Sequence, residues 1–182
     1  GVAFNLRVLS VDQGLNALVA QEQGTAPLLD FTSFAASEKV NGHMILARHA
    51  NYDSITGFYR TVDTVGSVLD GQGKLLTPGI ASREDYLAAA LSSDNIFSNL
   101  SNFKVADRQT YQQDFTVSAT TYLAPYAKVN GDSFFAFGAA NIDGLPHFRV
   151  MGTNMFGLED LRGGGDRDFN DAIFGFSFTN VV

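Results

Sequence analysis

The C-terminal segment from Ala172 to Phe178 alternates phenylalanine with other residues. Phe174, Phe176 and Phe178 are spaced by two, which places their side chains on one face of a strand and would scatter them around a helix. Aromatic side chains bury large apolar areas, so such a face has to be covered by a second layer of structure. The segment therefore predicts a final strand whose phenylalanines fill the core of a β-sheet protein.

Much of the remaining chain shows short β-rich segments separated by glycine, asparagine and aspartate. We predict a strand at Phe4–Val11 and further strands at 28–34, 43–48, 57–62, 114–118, 121–123, 133–137 and 147–151. Asn41-Gly42 and Asn130-Gly131 are two-residue turn signals between segments that can pair. Regular short strands with such turns are typical of an antiparallel sandwich.

One helix is predicted near residues 83–92, because Ser82 and Asp85 have the spacing of a capping box and alanines and leucines follow them. The predicted fold class is thus all-β, mainly an antiparallel β-sandwich, jelly-roll-like, with one short helix. We expect a single domain over residues 1–182, since neither a linker nor an internal repeat interrupts the pattern. The start of the sequence favours a domain excised from a larger protein.

Just before the final strand, acidic residues are crowded around three consecutive glycines. Five carboxylates and one amide fall between residues 159 and 171, against only two arginines. Such crowding is unfavourable unless a cation neutralises it, and a set of oxygen ligands alone suits calcium, which accepts about six to eight oxygens. The glycines let the backbone turn tightly around an ion. The predicted calcium ligands are Glu159, Asp160, Asp166, Asp168, Asn170 and Asp171.

Two better-known kinds of metal site fit this sequence poorly. The alternation from Asp166 to Asn170 resembles an EF-hand loop, but Asp171 and Ser177 stand where that loop needs glycine and glutamate. Zinc would need the three histidines, but His43 and His49 are six residues apart across one apparent strand and His147 lies in another, with no sign of residues that would support them as ligands. We expect calcium and no zinc.

Composition limits the partners and the setting. A net charge of −7 opposes nucleic-acid binding, which needs a basic surface. No apolar stretch approaches membrane-spanning length, so no membrane insertion is expected. The chain has no cysteine, which removes disulfides and thiol chemistry. An acidic, glycine-rich chain with a calcium-type loop fits an extracellular bacterial setting, where calcium is abundant.

Three further patterns carry a family resemblance. They are Phe135-Ala-Phe-Gly-Ala-Ala-Asn-x-Asp-Gly144, Asn154-x-Phe-Gly-x-Glu-Asp-Leu161 and Gly163-Gly-Gly-Asp-x-Asp-Phe-Asn-Asp171. Together with weaker upstream matches from about residue 40, they resemble the domain-of-unknown-function family 4114. That resemblance implies a calcium-linked domain of secreted or surface-displayed bacterial proteins, often beside adhesive modules. It also implicates Asn141 and Asp143, which would complete the same site or hold a neighbouring ion; the alternative is that Asp143-Gly144 simply forms a turn.

The expected function is a non-enzymatic, calcium-binding extracellular module with a structural or adhesive role at a bacterial cell surface, in contact with glycans or other surface proteins. One alternative is a calcium-dependent, lectin-like domain in which the ion keeps open positions for sugar hydroxyls. A surface hydrolase is a further alternative, although the sequence has no nucleophile elbow.

Overall fold

Antiparallel strands dominate the computed structural model, which describes residues 4–10, 14–21, 27–32, 34, 37–118, 122–152 and 154–181, with side chains from residue 27 to 179. The chain is an all-β sandwich with one short helix, as predicted. Val11 and Thr121, at the ends of predicted strands, lie outside the described residues. No helix in the described ranges has the length and apolar character needed to cross a membrane.

Thirteen strands and one α-helix are described. In chain order they are β1 (Phe4–Ser10), β2 (Gly14–Gln21), β3 (Leu28–Asp30), β4 (Lys39–Arg48), β5 (Ser54–Thr61), β6 (Val68–Leu69), β7 (Leu75–Leu76), α1 (Arg83–Ala90), β8 (Thr110–Ser118), β9 (Tyr122–Val129), β10 (Asp132–Phe135), β11 (Phe148–Gly152), β12 (Met155–Leu158) and β13 (Ala172–Val181).

The first layer is centred on β13, the predicted final strand. Along one edge β13 pairs with β4 over its whole length, from Ala172 opposite Arg48 to Val181 opposite Lys39. Along the other edge it pairs first with β12 and then, at Phe178, with β2. Strand β8 extends this layer beyond β4, and β11 extends it beyond β12. The strand that follows the acidic segment therefore pairs with three other strands, β4, β12 and β2.

The second layer is centred on β9. Strand β5 pairs with its whole length, while β10 and β3 share its other edge. Strand β2 pairs with both β3 and β13, so it joins the two layers at one side of the sandwich. The small β6–β7 hairpin stands apart as a separate two-stranded sheet.

Aromatic side chains fill the space between the layers. Phe58 of β5 packs against Phe156, Phe174 and Phe176 of the first layer, with ring centroids 5.5–6.2 Å apart. Phe178 is also buried, and it packs edge-on against other phenylalanines. Edge-to-face pairs at this distance add to the stabilisation from burial alone. The predicted core role of the alternating phenylalanines is confirmed.

The helix begins and ends close to its predicted bounds. Ser82 caps it, because the Ser82 hydroxyl accepts a hydrogen bond from the Asp85 amide at 3.1 Å. Its buried Tyr86 donates to the Gly66 carbonyl at 2.6 Å and packs edge-on against Phe135. The helix thus covers a second apolar cluster on the outer side of the β5–β9 layer.

One turn prediction is wrong. Asn41 and Gly42 lie inside β4, paired with β8 and β13 on either side, and do not form a hairpin turn. The reason for a glycine here is a close approach: a Cβ atom at Gly42 would lie closer than 3.0 Å to three ring carbons of Phe115. Strands β2, β6, β7 and β12 were not predicted, whereas the Asn130-Gly131 turn between β9 and β10 was.

This contact generates a prediction about stability. Gly42→Ala should lower the free energy of unfolding by about 1–3 kcal/mol, because the new methyl group forces the Phe115 ring out of its position. Gly175→Ala on the neighbouring strand is the matched control, since a Cβ there meets no atom within 4 Å. Urea denaturation of both variants measures the difference. Equal stability of the two alanine variants would contradict the packing explanation.

Candidate metal centre

Two groups of carboxylates meet at the junction between β12 and β13, and they share Glu159. One group contains Glu159, Asp166 and Asp168, and the other contains Glu159, Asp160 and Asp171. Within each group the carboxylate oxygens lie within 4.8 Å of one another. All five carboxylates that the sequence predicted as metal ligands are thus brought together.

Strand pairing produces this convergence. Leu158, the last residue of β12, is opposite Ala172, the first residue of β13, so the residues that flank the connecting loop start side by side. The Asp171 amide donates to the Leu158 carbonyl at 3.1 Å, and the Asp160 amide donates to the Asp171 carboxylate at 2.8 Å. These bonds hold the two ends of the loop together, and with them Asp160 and Asp171.

The glycines allow the loop to return onto Glu159. Gly163, Gly164 and Gly165 all have positive φ, a conformation that glycine adopts without a Cβ penalty. At Gly165 there is also a spatial reason for glycine, since a Cβ atom would lie 2.5 Å from Glu159 Oε1. The Arg167 amide donates to Glu159 Oε2 at 3.1 Å. The expected tight turn of the glycine run is therefore present, and it closes over a carboxylate.

The outer part of the loop shows a repeated local bond. The amide of Asp168 donates to the Asp166 carboxylate at 3.2 Å, and the amide of Asn170 donates to the Asp168 carboxylate at 3.3 Å. Such bonds orient a side chain relative to its own turn. Asp166 is exposed, so this side of the cluster faces solvent, and the Asn170 side chain is exposed as well.

The inner carboxylates are buried close to like charges. Glu159 is 2% exposed and Asp160 is 4% exposed. Burial, followed by the nearby charge of Asp171, raises the pKa of Glu159 to about 7 and that of Asp160 to about 6. Ionising both groups at neutral pH is therefore unfavourable unless a cation lies between them.

The charges near the cluster leave Asp160 incompletely paired. Asp160 Oδ2 is buried and accepts no hydrogen bond from the described residues. The positive charge of Arg48 lowers the pKa of Asp160, but not enough to offset burial and Asp171. Arg162 does not contribute, because it pairs with Asp132 outside the loop. An orphaned buried carboxylate oxygen beside other carboxylates is the environment a hard cation fits.

Asn141 and Asp143 lie outside both groups. The Asn141 amide group bonds to the backbone, accepting from the Phe135 amide and donating to the carbonyls of Phe135 and Leu145, each at 2.7 Å. Asp143 accepts from the amides of Leu145 and Gly163. These two predicted ligands shape the neighbouring turn and reach the metal centre only through other residues.

His147 provides that connection. The imidazole is fully buried and stacks on Phe134, with Nε2 2.8 Å from an oxygen of Asp143 and Nδ1 2.6 Å from the carbonyl oxygen of Glu159. Both neighbours offer acceptor oxygens, so each ring nitrogen lies within hydrogen-bond distance of an acceptor. Asp143 is suited to this pairing because its pKa is lowered: burial raises it, but bonds from Gly163, Leu145 and His147 outweigh that effect. His147 therefore anchors the start of the acidic loop.

The histidines do not form a metal site of their own. His43 lies on the outer face of the first layer, 2.6 Å from an oxygen of Asp114, and His147 is occupied as described. In the ranges that the structure describes, both possible metal-binding groups consist of carboxylates alone. The donor set is that of a hard cation such as calcium or magnesium.

Sequence reasoning overlooked Arg48 and misjudged His147. Arg48 occupies an inward-facing position in the β4 alternation, in phase with Val40, Met44 and Leu46, and it is 6% exposed. A charged residue in the apolar phase of a strand is a signal of a buried charge partner, and this signal was present in the sequence. His147 was considered only as a zinc ligand.

The raised pKa values predict how the metal-free protein responds to pH. The pKa of Glu159 in the folded protein, about 7, exceeds its ordinary value of 4.5. Such a group contributes its full stabilisation of the fold below pH 4.5, and this contribution is lost as the pH rises through about 7. With a chelator present, the free energy of unfolding should fall between pH 5 and pH 8, and Glu159→Gln should reduce the fall. Denaturation curves at several pH values measure it. An identical pH profile for the wild type and Glu159→Gln would contradict this account of Glu159.

Comparison with known proteins places the chain in a family. A family model described as a domain of unknown function (DUF4114) matches residues 83–179, from the start of the helix into the last strand. This segment contains both carboxylate groups, Asn141, Asp143 and His147. No curated protein and no solved structure matches the chain. Because the matched segment covers more than half of the 182 residues, the chain belongs to the DUF4114 family.

Proposed function

We propose that this domain is a non-enzymatic, calcium-binding module that serves a structural or adhesive role in a secreted or surface-displayed bacterial protein. The observation that carries the proposal is the position of Glu159, a buried carboxylate shared by two carboxylate groups at the start of one loop. The acidic, glycine-rich composition and the calcium-type loop support the extracellular setting, where calcium is abundant.

The donor set favours calcium over other metals. Each group offers three carboxylates, and backbone carbonyls and water can complete the six to eight oxygens that calcium accepts. Magnesium needs a nearly ideal octahedron and gives up its water reluctantly, which a cluster of irregular carboxylates serves less well. Glu159, Asp166 and Asp168 would hold an ion at the solvent side, whereas Asp160 and Asp171 would hold one closer to the sandwich.

A structural role follows from where the loop is attached. It connects β12 to β13, and β13 pairs with β4, β12 and β2. A cation that relieves repulsion between Glu159, Asp160 and Asp171 therefore stabilises the entry into the central strand of the first layer. An ion that binds only the folded state adds about 2.7 kcal/mol when it is present at a hundredfold excess over its dissociation constant.

The proposal predicts that one substitution shifts the melting temperature in opposite directions in chelator and in calcium. Glu159→Gln should raise the melting temperature in chelator, because it removes a buried like charge, and should lower it in saturating calcium, because it removes a shared ligand. Each kcal/mol corresponds to about 2–4 °C in a domain of this size. Differential scanning fluorimetry under both conditions measures the two shifts. Shifts of the same sign in chelator and in calcium would contradict the proposal.

The proposal also predicts a loss of affinity for calcium when a ligand on the solvent side is replaced. Asp168→Asn should weaken calcium binding at least about tenfold, the loss that even an outer partner of a metal ligand can produce. Asp94→Asn is the matched control, because Asp94 is exposed and belongs to neither carboxylate group. Isothermal titration with calcium and then with magnesium measures affinity and preference. Equal calcium affinity for Asp168→Asn and Asp94→Asn would remove the solvent-side group from the assignment.

The exposed side of the cluster supports a second candidate function. Asp166 faces solvent, so an ion held there could keep exchangeable positions for vicinal sugar hydroxyls, as in a calcium-dependent lectin. Such binding would disappear both in chelator and in Asp168→Asn. A blank glycan array together with calcium stabilisation favours the structural role, and measurable turnover of a glycoside, ester or peptide would overturn the non-enzymatic proposal.

A further inference from the structure

A second feature of the sandwich is a cavity that shares Arg48 with the surroundings of Asp160. It has a volume of about 630 Å³ and lies where the end of β4, the start of β5, residues 104–106 and the β9–β10 turn meet. Arg48, Lys104 and Lys128 line it, and Asp53 is the one acidic residue in its wall. In a chain with a net charge of −7, this cavity carries a local excess of positive charge. A concave, low-dielectric wall concentrates the attraction for an anion.

Arg48 is the buried part of this charge. Its Nη1 donates to the Val105 carbonyl at 2.6 Å and lies 3.7 Å from Asp53, whose side chain is fully exposed. Its Nε is buried and has no hydrogen-bond partner among the described residues. A guanidinium has five N–H donors, and burying it without partners is unfavourable. The protein therefore holds a cation in the cavity wall with donor capacity that its own groups leave unfilled.

The two lysines stand at the surface of the same cavity. Lys104 and Lys128 are both exposed, so their ammonium groups can move toward a ligand without breaking a packed structure. Ser54 and Asn130 also line the cavity, and their side chains can donate and accept hydrogen bonds, while the Asp53 carboxylate can accept them. The volume falls within the range of about 300–1,000 Å³ that is common for small-ligand sites and far exceeds the needs of a simple inorganic anion.

We propose that this cavity binds an acidic sugar unit of a glycan, with its carboxylate or sulfate group near Arg48 and between the two lysines. Planar bidentate recognition of such oxyanions is a property of arginine, while lysine adds charge at longer range. Asp53, Ser54 and Asn130 are placed to bond the sugar hydroxyls. The recognition itself needs no metal ion, although the charge of Arg48 also acts on Asp160 of the metal centre.

The test uses calcium-loaded protein and four probes: oligogalacturonate, its methyl-esterified form, a sulfated dextran oligomer and the matching unsulfated dextran. Lys104→Glu/Lys128→Glu is the test variant. Lys39→Glu/Lys74→Glu is the control, because it changes net charge equally while Lys39 lies at the far end of β4 from Arg48 and Lys74 lies in the β6–β7 hairpin. Isothermal titration at low ionic strength gives the affinities, and circular dichroism checks that each variant is folded.

The wild type should bind an acidic probe and ignore its neutral counterpart. The test variant should lose at least about tenfold in affinity, equivalent to about 1.4 kcal/mol, while the control stays near the wild type. Preference for oligogalacturonate identifies a carboxylate as the bound group, and preference for the sulfated oligomer identifies a sulfate. Absence of binding to both acidic probes, equal binding of the neutral probes, or equal losses in the two double variants would each overturn the proposal.

Discussion

Repulsion among buried carboxylates where β12 passes into β13 is the constraint on which the acidic loop depends. Glu159 and Asp160 follow directly after β12, Asp171 precedes β13, and strand pairing forces the three together. Burial, together with the nearby charge of Asp171, raises the pKa of Glu159 and Asp160, so three negative charges at this site are unfavourable without a cation. Because β13 is the central strand of its layer, the electrostatics of this junction affect the whole sandwich.

The surrounding residues hold the carboxylates in place but do not neutralise their negative charge. His147 fixes the start of the loop through the Glu159 carbonyl and is itself paired with Asp143. The glycine run approaches Glu159 so closely that a side chain at Gly165 would collide with it. Arg48 is the nearby buried cation, but its one short hydrogen bond goes to Val105. Carboxylates that are held in position by their neighbours but are not neutralised by them are typical of a metal-binding site, in which supporting residues orient the ligands.

The sequence alone predicted the parts of this arrangement that depend on local pattern. The alternation of Phe174, Phe176 and Phe178 predicted a buried strand, and the density of carboxylates predicted the acidic cluster that the structure brings together. Asn41-Gly42 misled because a glycine needed for close contact with Phe115 has the same local signature as a turn. The bond from the Gly163 amide to Asp143 and the bond from Arg48 to the Val105 carbonyl join residues 20 and 57 positions apart in the chain. Such long-range partners leave no spacing rule in a single sequence.

The most direct test of the account is long-wavelength anomalous diffraction from crystals of the domain grown with calcium. The account predicts an anomalous peak at the β12–β13 junction, about 2.3–2.6 Å from a Glu159 carboxylate oxygen and from oxygens of at least one of the two carboxylate groups. A second peak on the other side of Glu159 would show that both groups bind an ion. A junction without a peak, in crystals whose only calcium lies at unrelated surface carboxylates, would contradict the central claim.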